Sequence, residues 1–208
     1  TLITTGGSWM RDPLEGRSIE IVTLHELAHQ WFYGLVGTNE HRFPFLDEGL
    51  TSYAEGDACE AAWPDASAGE LWGLRVGLPA IYRAGALQSK RNTRVSEAAP
   101  AFVSGQDYAS LVYSRSETAL RTLGNVYGED TVRRAIGAYA RRNRFGHPGP
   151  DELFAAVREG VGPEAEIALR AALLAPSSVD YAADVVRSER RPDGKPGFAY
   201  GGDFGDRP

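Results

Sequence analysis

From Ser18 to Val36 the chain has no proline, and Ile21, Leu24, Ala28, Phe32 and Leu35 recur at the three- and four-residue spacing of a helix face. Gly37 supplies a C-terminal stop, so the pattern predicts a mostly buried helix over 18–36. A loop through Pro44 follows, and Leu46 to Ala62 reads as a second helix ended by Pro64, whose ring cannot continue the ladder. Residues 66–88 carry a further helical pattern (Leu71, Leu74, Leu78, Ile81, Tyr82) interrupted at Pro79, where a kink or split is expected. Gln88 to Gln106 is polar and reads as a loop. Four short helices are then expected, Tyr108 to Tyr127, Glu129 to Arg142, Pro150 to Glu159 and Glu164 to Leu174, separated by "YGED", "NRFGHPG" and "GVGP".

The two ends differ from this helical middle. "TLITTGGSW" is β-prone and reads as a short strand continuing from further upstream, as in a domain cut from a longer chain. From Ser177 the texture turns to weak alternation and then to Gly, Pro and Asp, so residues 176–208 are expected to be a linker or the start of a following domain. The expected fold is therefore mainly α, one domain over residues 1–175, a size that suits a single core. Hydrophobic residues at 42% and charged residues at 24% are the balance of a globular chain.

Charge and cysteine narrow the chemistry. A net charge of -6 with both signs interspersed leaves no clustered basic face, so nucleic acid is not expected as a partner. No apolar run approaches the length of a membrane span, so no membrane contact is expected of these residues. Cys59 is the sole cysteine, which excludes an internal disulfide and a four-cysteine zinc module. A metal, if bound, must be held by histidine and carboxylate.

Such a set is present in "LHELAHQWFYGLVGTNEHRFPFLDEGLTSYAE". On a helix, His25 and His29 fall one turn apart on the same face, about 6 Å along the axis. Two imidazoles there can share one ion, and Glu48, nineteen residues after His29, is the natural third ligand if the second helix returns antiparallel. Zinc held by two histidines and one carboxylate keeps a fourth position for water and lowers that water's pKa toward neutrality. Glu26, beside a ligand but not needed as one, can take the proton, and the reaction class is amide hydrolysis. Asp47, Ser52 and Glu55 are placed to orient the ligand histidines, with no one of them preferred. His41 and His147, in loops without a partner at ligand spacing, are expected to face solvent, and Trp31, Phe32 and Tyr33 to pack in the core.

The text around these residues resembles the M1 aminopeptidases, gluzincin zinc peptidases of thermolysin-like fold. "HELAHQWF" (His25 to Phe32), "LVG" (Leu35 to Gly37) and "FLDEG" (Phe45 to Gly49) align with that family without a gap, and the similarity continues through Tyr108 to Gly162. The resemblance implies a helical lobe carrying the His25-Glu26-x-x-His29 helix, one Zn2+ per chain on His25, His29 and Glu48, and Glu26 as base and then acid. It alone singles out Tyr113, among nine tyrosines, as the hydroxyl that stabilises the oxyanion; Tyr108 also matches a position where some members carry tyrosine. A phenol suits the task, being a neutral donor at pH 7. The chain departs from the family at Arg115 and Ser116 (usually Lys and Gly), Phe45 (usually Trp) and Asp47 (usually Asn).

The expected function is hydrolysis of peptide bonds by a zinc-activated water, with a peptide as substrate and, in the intact protein, aminopeptidase action. The family's Gly-x-Met-Glu-Asn segment, which grips a substrate's amino group, is expected upstream of Leu2, so flanking domains of the same chain are expected partners. Two alternatives stand beside this: a thermolysin-type endopeptidase, which needs no amine anchor, and a peptidase-like binding or scaffold domain without turnover. An acidic anchor upstream separates the first two; the complete set of ligands and base weighs against the third.

Overall fold

Arg17 fixes the start of the first helix. The computed structural model describes Ile3, residues 16–89 and residues 94–176, all within one unit of the chain, Thr1–Ser178. The Arg17 amide and Nε donate to the Ala68 and Ala66 carbonyls, 3.1 Å each, and its guanidinium lies 4.7 Å from the Trp63 ring centre. From there α1 (Ser18–Ala28) runs with Glu20 in its first turn, where the helix dipole favours an anion.

The helix ends at Ala28, eight residues before the expected Val36. The amides of Gln30 and Trp31 bond three residues back, those of Gly34 and Val36 five residues back, and Tyr33 sits at φ 151°. This irregular turn still directs Phe32 and Val36 into the core, which is why the apolar spacing outlasts the helix. Gly37 is no helix stop; its amide bonds the Gly146 carbonyl while the Phe145 amide bonds Leu35, tying the turn to residues 145–147. Nor is α1 mostly buried, since Ala28 is its one buried residue. Of the aromatic run only Phe32 is core; Trp31 and Tyr33 are exposed.

One π-helical turn, Phe45–Gly49, leads into α2 (Leu50–Ala62), much as the sequence predicts. The region 66–88 is not a kinked helix. It is an antiparallel hairpin of β1 (Gly69–Leu71) and β2 (Leu74–Val76), followed by α3 (Leu78–Ala86). Trp72 and Gly73 both have positive φ, as a two-residue hairpin turn requires, and Pro79 lies in the first turn of α3, where its missing N–H is harmless. The helix-like spacing of Leu71 and Leu74 was two strand positions flanking a turn.

After a loop come α4 (Gly105–Tyr108), capped by Ser104, a second π-helical segment (Ala109–Arg115) and α5 (Ser116–Tyr127), together covering the helix expected over 108–127. The last three helices, α6 (Glu129–Arg142), α7 (Pro150–Gly160) and α8 (Pro163–Leu174), fall where the pattern puts them. Successive helices α5 to α8 pack in pairs and α8 returns to α5, enclosing Leu120, Val132, Tyr139, Phe154 and Leu169; α2 lies between α1 and α5. Inside this packing Arg121 donates to the fully buried Glu117 at 3.1 Å, and burial pushes that carboxyl up to about 7 despite the pairing. Arg133 of α6 grips Asp57 of α2 with two bonds of 2.7 and 2.8 Å. No described helix is long and apolar enough to cross a membrane. The strand expected at the N-terminus, apart from Ile3, and the tail from 177 lie outside the described residues.

The two π-helical segments press on each other at Gly49. A Cβ there would lie 2.6 Å from the Ser116 Cβ and 3.1 Å from the Val112 carbonyl oxygen. Replacing Gly49 with alanine therefore forces the segments apart, and overpacking of this kind costs about 1–3 kcal/mol. Urea denaturation is expected to show that loss for Gly49→Ala. Gly105→Ala, where a Cβ meets nothing within 4 Å, is expected to change stability by less than about 0.5 kcal/mol.

Candidate metal centre and active site

The four-residue spacing on α1 brings His25 and His29 together as anticipated: their ring centres are 4.8 Å apart and their planes meet at 86°. His29 is the first residue beyond the helix, yet it keeps helical backbone angles, so the face is preserved. The turn Phe45–Gly49 then carries Glu48 across. Its Oε2 lies 3.1 Å from His25 Nε2 and 3.3 Å from His29 Nε2, and all three donor atoms fall within 4.8 Å of one another.

Zinc bonds of about 2.0–2.1 Å in a tetrahedron separate neighbouring ligand atoms by about 3.3–3.4 Å. The two nitrogen-to-oxygen separations are close to that edge. The donor set, two imidazoles and one carboxylate, also fits zinc and leaves one corner free.

Each imidazole is held from behind through Nδ1, which turns Nε2 toward Glu48. His25 Nδ1 donates to Glu55 Oε2 at 2.7 Å. His29 Nδ1 faces the Asp47 carboxylate at 2.9 Å and the Phe32 carbonyl at 3.2 Å, with the Thr51 hydroxyl also 3.2 Å away. Of the three residues considered from sequence, Glu55 and Asp47 thus touch the histidines, whereas Ser52 donates to the Glu48 main-chain carbonyl at 2.8 Å. Two residues were missed. Thr51 is buried on the first turn of α2, and Tyr82 of α3 donates its hydroxyl to Glu55 Oε1 at 2.9 Å. A threonine three positions past a ligand glutamate could have suggested the first. Tyr82 was absorbed into an apolar pattern, and nothing in the sequence ties it to Glu55.

Charge in the cluster follows from crowding. Burial works against protonation of His25, but Glu48 and Glu55 outweigh it and lift the imidazole to about 9. For His29 burial is likewise overcome, here by Asp47, Glu48 and the Phe32 carbonyl, and the value rises to about 10. Burial would raise Glu48, yet its hydrogen bonds from both histidines and from Tyr113 hold it near 2. Asp47 is pushed up by burial, with His29 opposing. Without a metal, protons occupy the role of the shared cation.

The cluster opens into a cleft of about 380 Å³ lined also by Glu26, Tyr82 and Tyr113. Glu26, next to His25 in the chain, lines the same cleft. Tyr113 stacks on His25 with ring centres 5.7 Å apart, and burial keeps its phenol well above the usual value, so it remains a neutral donor. Tyr108 stands one ring further out, against Tyr113 and Phe102. Between the two tyrosines, the one beside the His25–His29–Glu48 cluster is Tyr113. His41 is exposed as expected, and His147, also exposed, donates from Nδ1 to the Gly37 carbonyl at 2.6 Å.

Residues 11–171 match the peptidase family M1 domain. Among relatives, Aminopeptidase 2 of Candida albicans is 27% identical over 145 residues, covering 69% of this chain and 15% of that protein. Aminopeptidase N of Streptomyces lividans is 29% identical over 67% of this chain and 16% of its own length, and human aminopeptidase N 30% identical over 64% and 14%. The chain therefore spans about a sixth of the length of these curated relatives. Among solved structures, an M1 zinc metallopeptidase from Deinococcus radiodurans superposes with a TM-score of 0.60 at 24% identity, over 81% of this chain and 35% of that one. A two-domain M1 zinc metallopeptidase with bound L-arginine matches at 26% identity and TM-score 0.58, over 74% and 32%. With the family model spanning most of its length, this chain belongs to peptidase family M1.

Proposed function

We propose that the chain is the catalytic core of a zinc aminopeptidase in which His25, His29 and Glu48 hold one zinc ion. The observation that carries this reading is the convergence of both Nε2 atoms on one Glu48 oxygen, in an open cleft shared with Glu26 and Tyr113. The zinc peptidase named among the structural neighbours and the aminopeptidases among the relatives support it. When bound, zinc polarises the scissile carbonyl and makes water a nucleophile at neutral pH. Glu26 takes the proton released as water attacks and returns it to the departing amine. Tyr113 donates its O–H to the carbonyl oxygen as negative charge develops there. Asp47 and Glu55 keep the imidazoles oriented and hold a proton on each Nδ1, so that Nε2 is the nitrogen offered to the metal.

The test is hydrolysis of aminoacyl and internally quenched peptide substrates by the intact protein. Glu26→Ala is expected to lower kcat about 10²–10⁴-fold with zinc content unchanged. Tyr113→Phe is expected to lower it about 10²–10³-fold, again with zinc retained. Equal activity of wild type and Glu26→Ala overturns the base assignment, and preference for internal bonds overturns the exopeptidase reading. Metal analysis is expected to give about one zinc per chain, lost in His29→Ala.

Proton and zinc compete for the same nitrogens, which fixes the sign of a pH effect. His25 and His29 rise from 6.5 to about 9 and about 10, so their contribution to metal-free stability is complete below 6.5 and is lost as pH climbs through 9 and 10. Glu48 falls from 4.5 to about 2, so its contribution is present above 4.5 and lost toward 2. Zinc binding needs the imidazoles neutral and strengthens as pH rises. Thermal melts between pH 6 and 9 are expected to show the Tm of the metal-free chain falling while the increment given by zinc grows; a zinc increment independent of pH speaks against ligation by these histidines.

A further inference from the structure

Tyr82 lines the catalytic cleft yet belongs to neither the ligands nor the reacting groups. Its hydroxyl donates to Glu55 Oε1 at 2.9 Å, while the other oxygen of the same carboxylate, Oε2, receives His25 Nδ1–H at 2.7 Å. Glu55 is buried, with 2% of its surface exposed. Both oxygens are thus claimed by a directed donor, and the carboxylate plane has one orientation left to it. Burial pushes the Tyr82 phenol far above its ordinary value, so the hydroxyl stays a neutral donor.

The helix carrying Tyr82 is itself fixed at both ends. At its start the Leu78 amide donates to Ser67 Oγ at 2.6 Å. Near its end Gly85 lies so close to the Tyr113-bearing segment that a Cβ would stand 2.5 Å from Ser114 Oγ. A hydroxyl on so constrained a helix has little freedom to follow Glu55; Glu55 must follow it.

We propose that Tyr82 is a positioning residue of the metal centre, acting through Glu55 to set the ring orientation and the Nδ1–H tautomer of His25. The proposal rests on the zinc reading given above. Removing the hydroxyl leaves a buried carboxylate oxygen without its donor and frees the carboxylate to turn away from the imidazole. Loss of a partner behind a ligand histidine typically weakens metal binding about 10–100-fold.

The experiment is chelator competition on the 208-residue chain, giving zinc affinities for wild type, Tyr82→Phe, Glu55→Gln, the double variant and Tyr139→Phe. Tyr82→Phe is expected to bind zinc about 10-fold more weakly, and Glu55→Gln at least as weakly. The double variant is expected to lose less than the two single losses combined, because both act on His25 along the same path. Tyr139→Phe, a buried hydroxyl away from the cleft, serves as control and is expected to leave zinc affinity unchanged. Proton NMR of the His25 ring adds an arm independent of affinity: in the zinc-loaded wild type the Nδ1–H resonance is expected far downfield, held there by its short bond to Glu55, and to move upfield in Tyr82→Phe. Wild-type affinity and an unmoved Nδ1–H resonance in Tyr82→Phe, or a Tyr82 effect undiminished in the Glu55→Gln background, overturn the proposal. Failure of the wild type to bind zinc overturns instead the metal-site reading beneath it.

Discussion

Two imidazole nitrogens 3.1 and 3.3 Å from one carboxylate oxygen, in a half-buried setting, form an arrangement that demands positive charge between them. Burial alone would neutralise all three groups. Instead Glu48 is held near 2 and the histidines are lifted to about 9 and 10, so mutual attraction outweighs desolvation at every member. A divalent cation answers the same demand with more charge in less space. The surrounding elements serve this geometry: α1 sets the spacing of the histidines, the turn at 45–49 delivers the carboxylate, and α2 supplies the groups behind the rings.

Glu48 and Tyr113, which approach the histidines from other elements, both sit in π-helical turns. Glu48 lies within 45–49 and Tyr113 within 109–115, and wide turns of this kind are found disproportionately at functional sites because they re-aim a side chain without ending the helix. The two segments meet where Gly49 faces Ser116. Ser116 stands where M1 relatives usually carry glycine; the missing side chain at Gly49 is what makes room for it. The departure at Arg115 is accommodated too, its guanidinium reaching the Ala175 carbonyl at 3.4 Å.

The convergence of His25, His29 and Glu48 was legible because two residues on one helix face write their spacing into the sequence, and because Glu48 follows in a short, readable return. The helices from α5 to α8 were legible for a similar reason: each is bounded by glycine or proline and buries one stripe. Misreadings came where periodicity is ambiguous. Phe32 and Val36 hold core positions on a turn as well as they would on a helix, and Leu71 and Leu74 flank a hairpin turn at a spacing that a helix also allows. Tyr82 could not be read at all, since its role depends on a contact across 27 residues between elements whose packing only the fold decides.

The supports behind the two histidines are unequal, and the inequality has consequences. His29 Nδ1 is surrounded by the Asp47 carboxylate, the Phe32 carbonyl and the Thr51 hydroxyl, all within 3.2 Å, so removing one leaves others to orient the ring. His25 Nδ1 has Glu55, and Glu55 in turn has Tyr82. The first arrangement is redundant and local to one stretch of chain, since Phe32, Asp47 and Thr51 all lie within 22 residues of His29. The second is a single file that runs through α2 to α3. Asp47, where the family usually has asparagine, adds charge to the side already well supported, and His29 rises to about 10 against about 9 for His25. Variation that loosens α3 is therefore felt by His25 through Glu55, while the groups behind His29 lie on other elements.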